Sequence, residues 1–106
     1  MRVDRHVVVS ATAPIWPNDA VDPDVSRQAR RCLEIIETAL HELGATLDDV
    51  VRTRVYLVDA ADGPAVGAVH GELLRDVRPA TGFIVVHGFL DPRWRVEIEA
   101  DAIVGN

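Results

Sequence analysis

The feature that most constrains this chain is the run FIVV at residues 83–86, which is apolar at every position. Successive side chains of a strand point to opposite faces, so such a run indicates a strand that is buried on both sides. Pro79 precedes it and forces extended backbone before the strand begins. The sheet that contains this run therefore needs a cover on each face.

The chain is too short to provide both covers by itself. Its 106 residues predict a single domain, residues 1–106, with room for one sheet and about two helices. We expect the helices to cover one face of the sheet and other copies of the same chain to cover the second. The sequence thus predicts a homo-oligomer.

Hydrophobic periodicity predicts a strand, helix, strand, helix, strand, strand order. Residues 6–10 read as a strand, and three prolines in the following segment indicate a long loop. A helix is expected from a cap at Asp22, with Pro23 at its first position, to a stop at Gly44. Its apolar stripe comprises Val25, Ala29, Cys32, Leu33, Ile36, Leu40 and Leu43.

The later elements alternate in polarity along two predicted strands. The first, at residues 47–59, places Val51, Thr53, Val55 and Leu57 on one face and Arg52, Arg54 and Tyr56 on the other. A second helix carries Val66, Val69, His70 and Leu73 on one stripe and ends near Asp76. The last strand sets Val96, Ile98, Ala100 and Ala102 opposite Glu97, Glu99 and Asp101. This pattern is typical of an α+β two-layer sandwich with a mixed sheet.

Charge and cysteine content exclude several classes of protein. The net charge of −6 provides no basic field for nucleic acid, and no run approaches the roughly 20 apolar residues of a membrane span. Neither a nucleic-acid partner nor a membrane is expected. Cys32 is the single cysteine, so no disulfide framework can form within the chain, and a cytoplasmic location fits best. Cys32 itself reads as a small buried hydrophobe.

Metal and cofactor sites find little support. The four histidines fall on different predicted elements without ligand spacing, so no metal site is expected. His70 interrupts an apolar stripe and is interpreted as a hydrogen-bonded core or interface histidine. The motifs of serine hydrolases, dinucleotide-binding proteins, P-loop proteins and zinc proteases are missing from the sequence, and no cofactor is expected.

Three groups of side chains remain as candidates for a site. The carboxylates of the last strand repel one another unless they are solvated, paired or bound to a cation, and Arg52 or Arg54 could pair with them if their strands are neighbours. Trp16 and Trp94 lie in proline-bearing loops and are the aromatic residues best placed to line a ligand cleft. Packing of both rings on their own subunit is an equal alternative.

The segments QARRCLEIIETALHELGATLDDVVRTRVYLVD, RPAT and VEIEADA closely resemble the RidA (YjgF-like) family, also known as L-PSP endoribonuclease-like proteins. The resemblance implies a chorismate-mutase-like α+β fold. It also implies a homotrimer whose sheets form a central barrel, with small-molecule clefts between adjacent subunits. In active members such clefts hydrolyse reactive enamines and imines to 2-keto acids and ammonia.

The family motifs map onto four positions. Ser10 keeps the serine of a pocket-shaping Ser-Gly step, whereas Ala11 replaces its glycine, and Glu97 keeps the glutamate that helps place the attacking water. Thr81 stands where active deaminases have an arginine that grips the substrate carboxylate. Arginine offers two charge-assisted hydrogen bonds and threonine one neutral hydroxyl, a loss of roughly 2–5 kcal/mol of ligand affinity. The chain therefore resembles the arginine-lacking subgroups.

Two functions follow from the resemblance. In the first, a hydrolase or deaminase uses Glu97 to orient water and Thr81 to bind the substrate, with Arg54 or Arg78 supplying the lost positive charge and Trp16 lining the cleft. In the alternative, a non-catalytic trimer binds a metabolite or regulates a partner. A ribonuclease is disfavoured, because the acidic chain has no basic groove.

Overall fold

The structure, a computed structural model, describes residues 1–105 and contains one sheet and two long helices. The strands are β1 (Arg2–Val3), β2 (His6–Thr12), β3 (Val50–Leu57), β4 (Ala80–Val85) and β5 (Val96–Ile103). The helices are α1 (Val25–Glu42) and α2 (Gly63–Leu74). β1 was not predicted from the sequence.

The sheet is mixed, as predicted, with the strand order β1-β2-β5-β3-β4. β3 and β4 run parallel, whereas the other neighbouring pairs are antiparallel. The two helices pack on each other and cover one face, which confirms the α+β two-layer fold. No helix within residues 1–105 combines the length and apolarity that a membrane crossing requires.

One hydrophobic core lies between the helices and the covered face of the sheet. The predicted stripe of α1 is buried over its whole length except for Leu43, which is partly buried at the C-terminal end. Cys32 belongs to this core, as expected. Its principal members are Val7, Ala29, Leu33, Ile36, Leu40, Val55, Leu57, Val66, Val96 and Ile98.

The start of α1 differs from the prediction, which placed the cap at Asp22 and Pro23 inside the helix. The carboxylate of Asp24 accepts a hydrogen bond from the Ser26 amide at 2.8 Å, so Asp24 is the N-cap. Asp22 accepts from the Asp24 amide in the preceding turn, which leaves Pro23 outside the helix. The predicted stop at Gly44 is confirmed, because its φ of +82° is the left-handed conformation that favours glycine.

A bulge in β3 corrects one predicted face. Val50 pairs with Ala102 and Arg52 with Asp101, so Val51 is the extra residue between them. Val50 is therefore buried in the core, whereas Val51 is 43% exposed. Beyond the bulge, Thr53, Val55 and Leu57 face the core as predicted.

The second helix is shorter than predicted and ends at Leu74 rather than near Asp76. The amides of Val77 and Arg78 both donate to the carbonyl of Leu74, and Arg78 has a φ of 55°, which turns the chain out of the helix. Leu74 is fully buried. His70 and Leu73, expected on the apolar stripe, are only partly buried.

β4, which contains most of the apolar run at residues 83–86, is an edge strand of the sheet. All six residues of β4 are exposed, including Phe83 at 43%, Ile84 at 41% and Val85 at 57%. The predicted cover on both faces is therefore not provided by residues 1–105 of a single chain. Its source stays a prediction.

Candidate functional site

A cleft of about 240 Å³ lies over the parallel pair β3 and β4. The small side chains of Ala80 and Gly82 leave room there beside Arg52 and Arg54, because each pair is aligned across the two strands. Arg54 and Thr81, two predicted site residues, both border this cleft, but only Arg54 directs its side chain into it, because the Thr81 hydroxyl is on the core-facing side, where it contacts Thr53. The lining residues are Arg52, Thr53, Arg54, Ala80, Thr81, Gly82 and Ile84.

Thr81 belongs to a chain of hydrogen bonds that reaches into the protein. Its Oγ1 lies 2.8 Å from Oγ1 of Thr53, which lies 2.8 Å from Nε2 of His70. The Thr81 hydroxyl also donates to the carbonyl of Pro79 at 3.1 Å. Burial lowers the pKa of His70, so the ring is favoured in its neutral form. The predicted role of His70 as a hydrogen-bonded histidine is confirmed.

Arg54 is held by Glu99 on the neighbouring strand. The guanidinium donates to Oε1 of Glu99 at 3.0 Å, and the Tyr56 hydroxyl donates to the same oxygen at 2.6 Å. The hydrogen bond to Glu99 raises the pKa of Tyr56, because the bond is lost when the phenol ionises. The pairing expected between the two strands therefore exists, and it joins Arg54 to Glu99.

Glu97 projects from the same face of β5 as Glu99 but has different surroundings. Within residues 1–105 no side chain or amide donates to its carboxylate. Partial burial raises the pKa of Glu97, since its charged form has lost water without gaining a partner. A carboxylate with these properties can accept a proton from a bound water molecule.

Ser10 and Ala11 lie on the opposite side of β5 from Arg54. The pairing of β2 with β5 shifts register between Val9 and Thr12, so both residues sit in an irregular segment of β2. Both are exposed. The Ser10 carbonyl accepts a hydrogen bond from the Thr12 hydroxyl at 2.9 Å, which helps hold the irregular backbone.

One chain does not gather all the predicted site residues. Glu97 is two strands away from Thr81, roughly 10 Å across the sheet at ordinary strand spacing, and Ser10 is one strand further. Ala100 is level with Thr81 across Thr53, so Glu97 is also displaced by roughly 10 Å along β5. Thr81 is bonded to Thr53 on the core-facing side, whereas Glu97 lies on the uncovered side. A cleft containing Thr81 and Glu97 together therefore needs a second subunit.

Trp16 does not line the Thr81 cleft. It lines a separate cavity of about 330 Å³ together with Trp94, and the use of this cavity as a ligand cleft stays a prediction. Arg93 links two of the cavity's lining residues by donating to the carboxylates of Asp19 at 2.9 Å and Asp91 at 2.7 Å. The other lining residues are Ile15, Ala20 and Val21.

Gln28, which is fully buried in α1, fixes the loop that carries Trp94. Its amide nitrogen donates to the carbonyls of Asp22 at 2.8 Å and Arg93 at 3.0 Å. Its amide oxygen accepts from the Arg95 amide at 2.8 Å. The backbone on both sides of Trp94 is thus tied to the helix.

The sequence interpretation missed the roles of Thr53, Tyr56 and Glu99. A hydrogen-bonding role for Thr53 could have been predicted, since a hydroxyl at a core-facing strand position requires a hydrogen-bond partner. The sequence could not predict that Arg54 pairs with Glu99 and not with Glu97, because this depends on the register between β3 and β5. No group of three or more histidine, cysteine or acidic side chains within residues 1–105 is arranged to hold a metal ion.

The sequence of this chain is similar to those of known proteins over nearly its whole length. The Endoribonuclease L-PSP family profile matches residues 1–104. An uncharacterised protein of Streptomyces coelicolor is 36% identical, over 96% of this chain and 76% of the relative. The 3-aminoacrylate deaminase RutC of Acinetobacter baylyi is 34% identical, over 97% of this chain and 82% of the relative.

Solved structures agree with these sequence matches. A Mycobacterium tuberculosis member of the YjgF/YER057c/UK114 family superimposes with a TM-score of 0.89 at 41% identity, covering 97% of this chain and 82% of the other. Escherichia coli YjgF gives a TM-score of 0.89 at 25% identity, covering 97% and 84%. The chain therefore belongs to the Endoribonuclease L-PSP family, the RidA/YjgF family whose motifs its sequence carries.

Proposed function

We propose that this protein is a homotrimeric hydrolase that converts reactive enamines or imines to carbonyl compounds and ammonia in clefts between subunits. A water molecule adds to the imine carbon and forms a carbon–oxygen bond. The carbon–nitrogen bond then breaks, and the nitrogen leaves as ammonia after gaining protons from the water. No metal or cofactor takes part in these steps.

The contrast between Glu97 and Glu99 carries the proposal. Glu99 is held by Arg54 and Tyr56, whereas Glu97 is partly desolvated and receives no hydrogen bond from residues 1–105. Two neighbouring carboxylates with different environments commonly divide into a structural and an acid–base role. Glu97 takes the proton from the attacking water and returns it to the leaving nitrogen.

The rest of the substrate is bound by groups from two subunits, because Thr81 and Arg54 direct their side chains to opposite faces of the sheet. The Thr81 hydroxyl of one subunit provides one neutral hydrogen bond. Arg54, which faces the cleft over β3 and β4, provides positive charge from the other subunit, although Glu99 partly neutralises it. Arg52 lines the same cleft and has no ion-pair partner among residues 1–105. These two guanidiniums offset the arginine that position 81 lacks. Trp16 borders its own cavity and in this proposal meets the substrate only if a neighbouring subunit brings the two cavities together.

The trimer is part of the proposal because the site is incomplete without it. Thr81 and Glu97 lie on opposite faces of the sheet and on strands that are not neighbours. The exposed apolar side chains of β4 provide a surface for another copy to bury. Ser10 and Ala11, exposed on the far side of the sheet, then form the opposite wall of each cleft.

A second function, metabolite binding without turnover, is favoured by Thr81 itself. A neutral hydroxyl in place of an arginine weakens the hold on a carboxylate in the ground state and the transition state alike. In this alternative a ligand raises the melting temperature of the protein without being consumed.

The decisive comparison uses Glu97→Gln, which keeps the size of the side chain and removes its basicity. Imines generated by an amino-acid oxidase serve as substrates, and ammonia release is measured. The variant is expected to reduce kcat/KM by about 10²- to 10⁴-fold. The exposed control Glu42→Gln is expected to match the unaltered protein. Equal turnover by Glu97→Gln and the unaltered protein would refute the role of Glu97.

A further inference from the structure

We propose that His70 is a positioning residue which, through Thr53, fixes the Thr81 hydroxyl as a hydrogen-bond donor toward a ligand acceptor atom in the proposed cleft between subunits. This inference deepens the proposed function and rests on the exposed Thr81 hydroxyl facing the cleft between subunits. It assigns a role to a histidine and a buried threonine that the proposed reaction does not otherwise use.

The direction of the chain follows from counting protons. The Pro79 carbonyl can only accept, so the contact of 3.1 Å uses the single hydroxyl proton of Thr81. The contact of 2.8 Å between the two threonines must then use the proton of Thr53. Thr53 has no proton left for His70, so the contact of 2.8 Å to Nε2 requires a protonated Nε2. The three contacts together select one tautomer.

The opposite direction leaves a group without a partner. If Nε2 accepts from Thr53, then Thr53 accepts from Thr81, and the Pro79 carbonyl loses its donor. No side chain within residues 1–105 bonds to Nδ1 of His70, so nothing there opposes protonation at Nε2. The structure therefore favours the chain that runs from His70 through Thr53 to Thr81.

Packing holds the inner part of this chain rigid. Thr53 is 1% exposed and sits in the core face of β3, where an unmade hydrogen bond is costly. The ring of Phe83 contacts the His70 ring edge-on, with centroids 6.4 Å apart. Phe83 and Thr81 are two residues apart on β4 and so share one face. The orientation of the imidazole is thus fixed by two contacts, the packing of Phe83 against the ring and the hydrogen bond between Nε2 and Thr53.

The outer end of the chain is the part that can exchange partners. Thr81 is exposed, and its bond to Pro79 is the longest of the three. A carbonyl, carboxylate or imine nitrogen in the cleft can replace the Pro79 carbonyl without reversing any other bond. Hydrogen bonds in series polarise one another, so Thr81 donates more strongly than an isolated threonine. The cleft is thus set to receive an acceptor atom.

The tautomer is tested by nuclear magnetic resonance on the intact protein labelled with ¹⁵N in its histidine rings. At a pH where His70 is neutral, Nε2 is expected to carry the proton and Nδ1 to be bare. Replacing Thr53 by valine should shift the Nε2 signal, and replacing it by serine should restore that signal. A proton on Nδ1 in the unaltered protein overturns the proposal, whatever the protein's activity.

The functional consequence is tested by kinetics with the same imine substrates. His70→Phe removes the donor to Thr53 and is expected to raise KM roughly 3- to 10-fold with a smaller change in kcat. His70→Gln keeps an N–H donor and should recover most of the loss. His41→Gln, at an exposed histidine of α1, is the control. An unchanged KM in both His70→Phe and Thr53→Val overturns the coupling.

The two tests separate this inference from the proposed function. If no imine is hydrolysed, the proposed function fails, while the ring nitrogen signals and their response to Thr53→Val still decide the direction of the chain. If turnover is observed but His70 carries its proton on Nδ1, only the present inference fails.

Discussion

Glu97 and Glu99 project from the same face of β5, two residues apart, and within residues 1–105 only Glu99 accepts hydrogen bonds from other side chains. Its Oε1 accepts from Arg54 at 3.0 Å and from Tyr56 at 2.6 Å. Glu97 is partly desolvated, and burial raises its pKa. Glu99 thus stabilises the sheet, whereas the carboxylate of Glu97 remains available for proton transfer.

The raised pKa of Glu97 predicts the acid limit of activity. The carboxylate is the active base, and burial causes it to gain a proton at a higher pH than the ordinary glutamate value of 4.5. Turnover should therefore fall, as the pH decreases, through a midpoint above 4.5. The pH profile of kcat/KM measures this midpoint, and Glu97→Gln should lack that limb. A midpoint at or below the ordinary value would contradict the account.

His70 predicts a loss of stability in mild acid. Burial lowers its pKa below 6.5, so the unfolded chain binds a proton at a pH where the folded protein does not. The free energy of unfolding should decrease as the pH falls from about 6.5 toward the folded-state pKa. Urea unfolding at a series of pH values measures this loss. His70→Gln should flatten that part of the profile and His41→Gln should not; identical profiles for all three proteins would count against a buried neutral His70.

Gln28 is expected to be the most sensitive polar residue of the core. Gln28→Met keeps the volume but leaves two carbonyls and the Arg95 amide without their bonds, which should cost about 2–4 kcal/mol of unfolding free energy. Arg27→Met, at a neighbouring side chain that is 72% exposed, should cost less than about 1 kcal/mol. Equal effects of the two substitutions in chemical denaturation would show that the Gln28 contacts are weak.

The exposed edge strand predicts the behaviour of the oligomer. Ile84→Asp places a charge on an apolar surface that the proposed trimer buries, so sedimentation velocity should show monomers in place of trimers. Thr38→Asp, on the exposed side of α1, should leave the trimer intact. A monomeric unaltered protein at micromolar concentration would remove the basis for clefts between subunits.

Long periodic patterns made most of the fold predictable. The apolar stripe of α1 and the alternation in β5 each repeat over several turns or pairs, so local errors do not change the result. The cap of α1 was misplaced because Asp22 and Asp24 both carry side chains that can cap. Their competition is decided by the turn that joins them rather than by residue type.

Single-residue features of the sheet were less predictable. The bulge at Val51 moves one valine out of the core, and neither the composition nor the alternation of β3 reveals it. The same limit applies to the site, because the register between β3 and β5 pairs Arg54 with Glu99 and leaves Glu97 without a hydrogen-bond donor in the part of the chain that the structure describes. The placement of Thr81 beside Thr53 and His70 depends on the parallel pairing of β3 and β4.

The central claim is that this protein hydrolyses imines with threonine at position 81. The most direct measurement is the release of ammonia and keto acid from enzymatically generated imines by the unaltered protein and by Thr81→Arg. The account predicts turnover by the unaltered protein, with Arg52 and Arg54 providing the positive charge. Turnover only in Thr81→Arg would contradict it and would show an intact cleft that serves ligand binding instead.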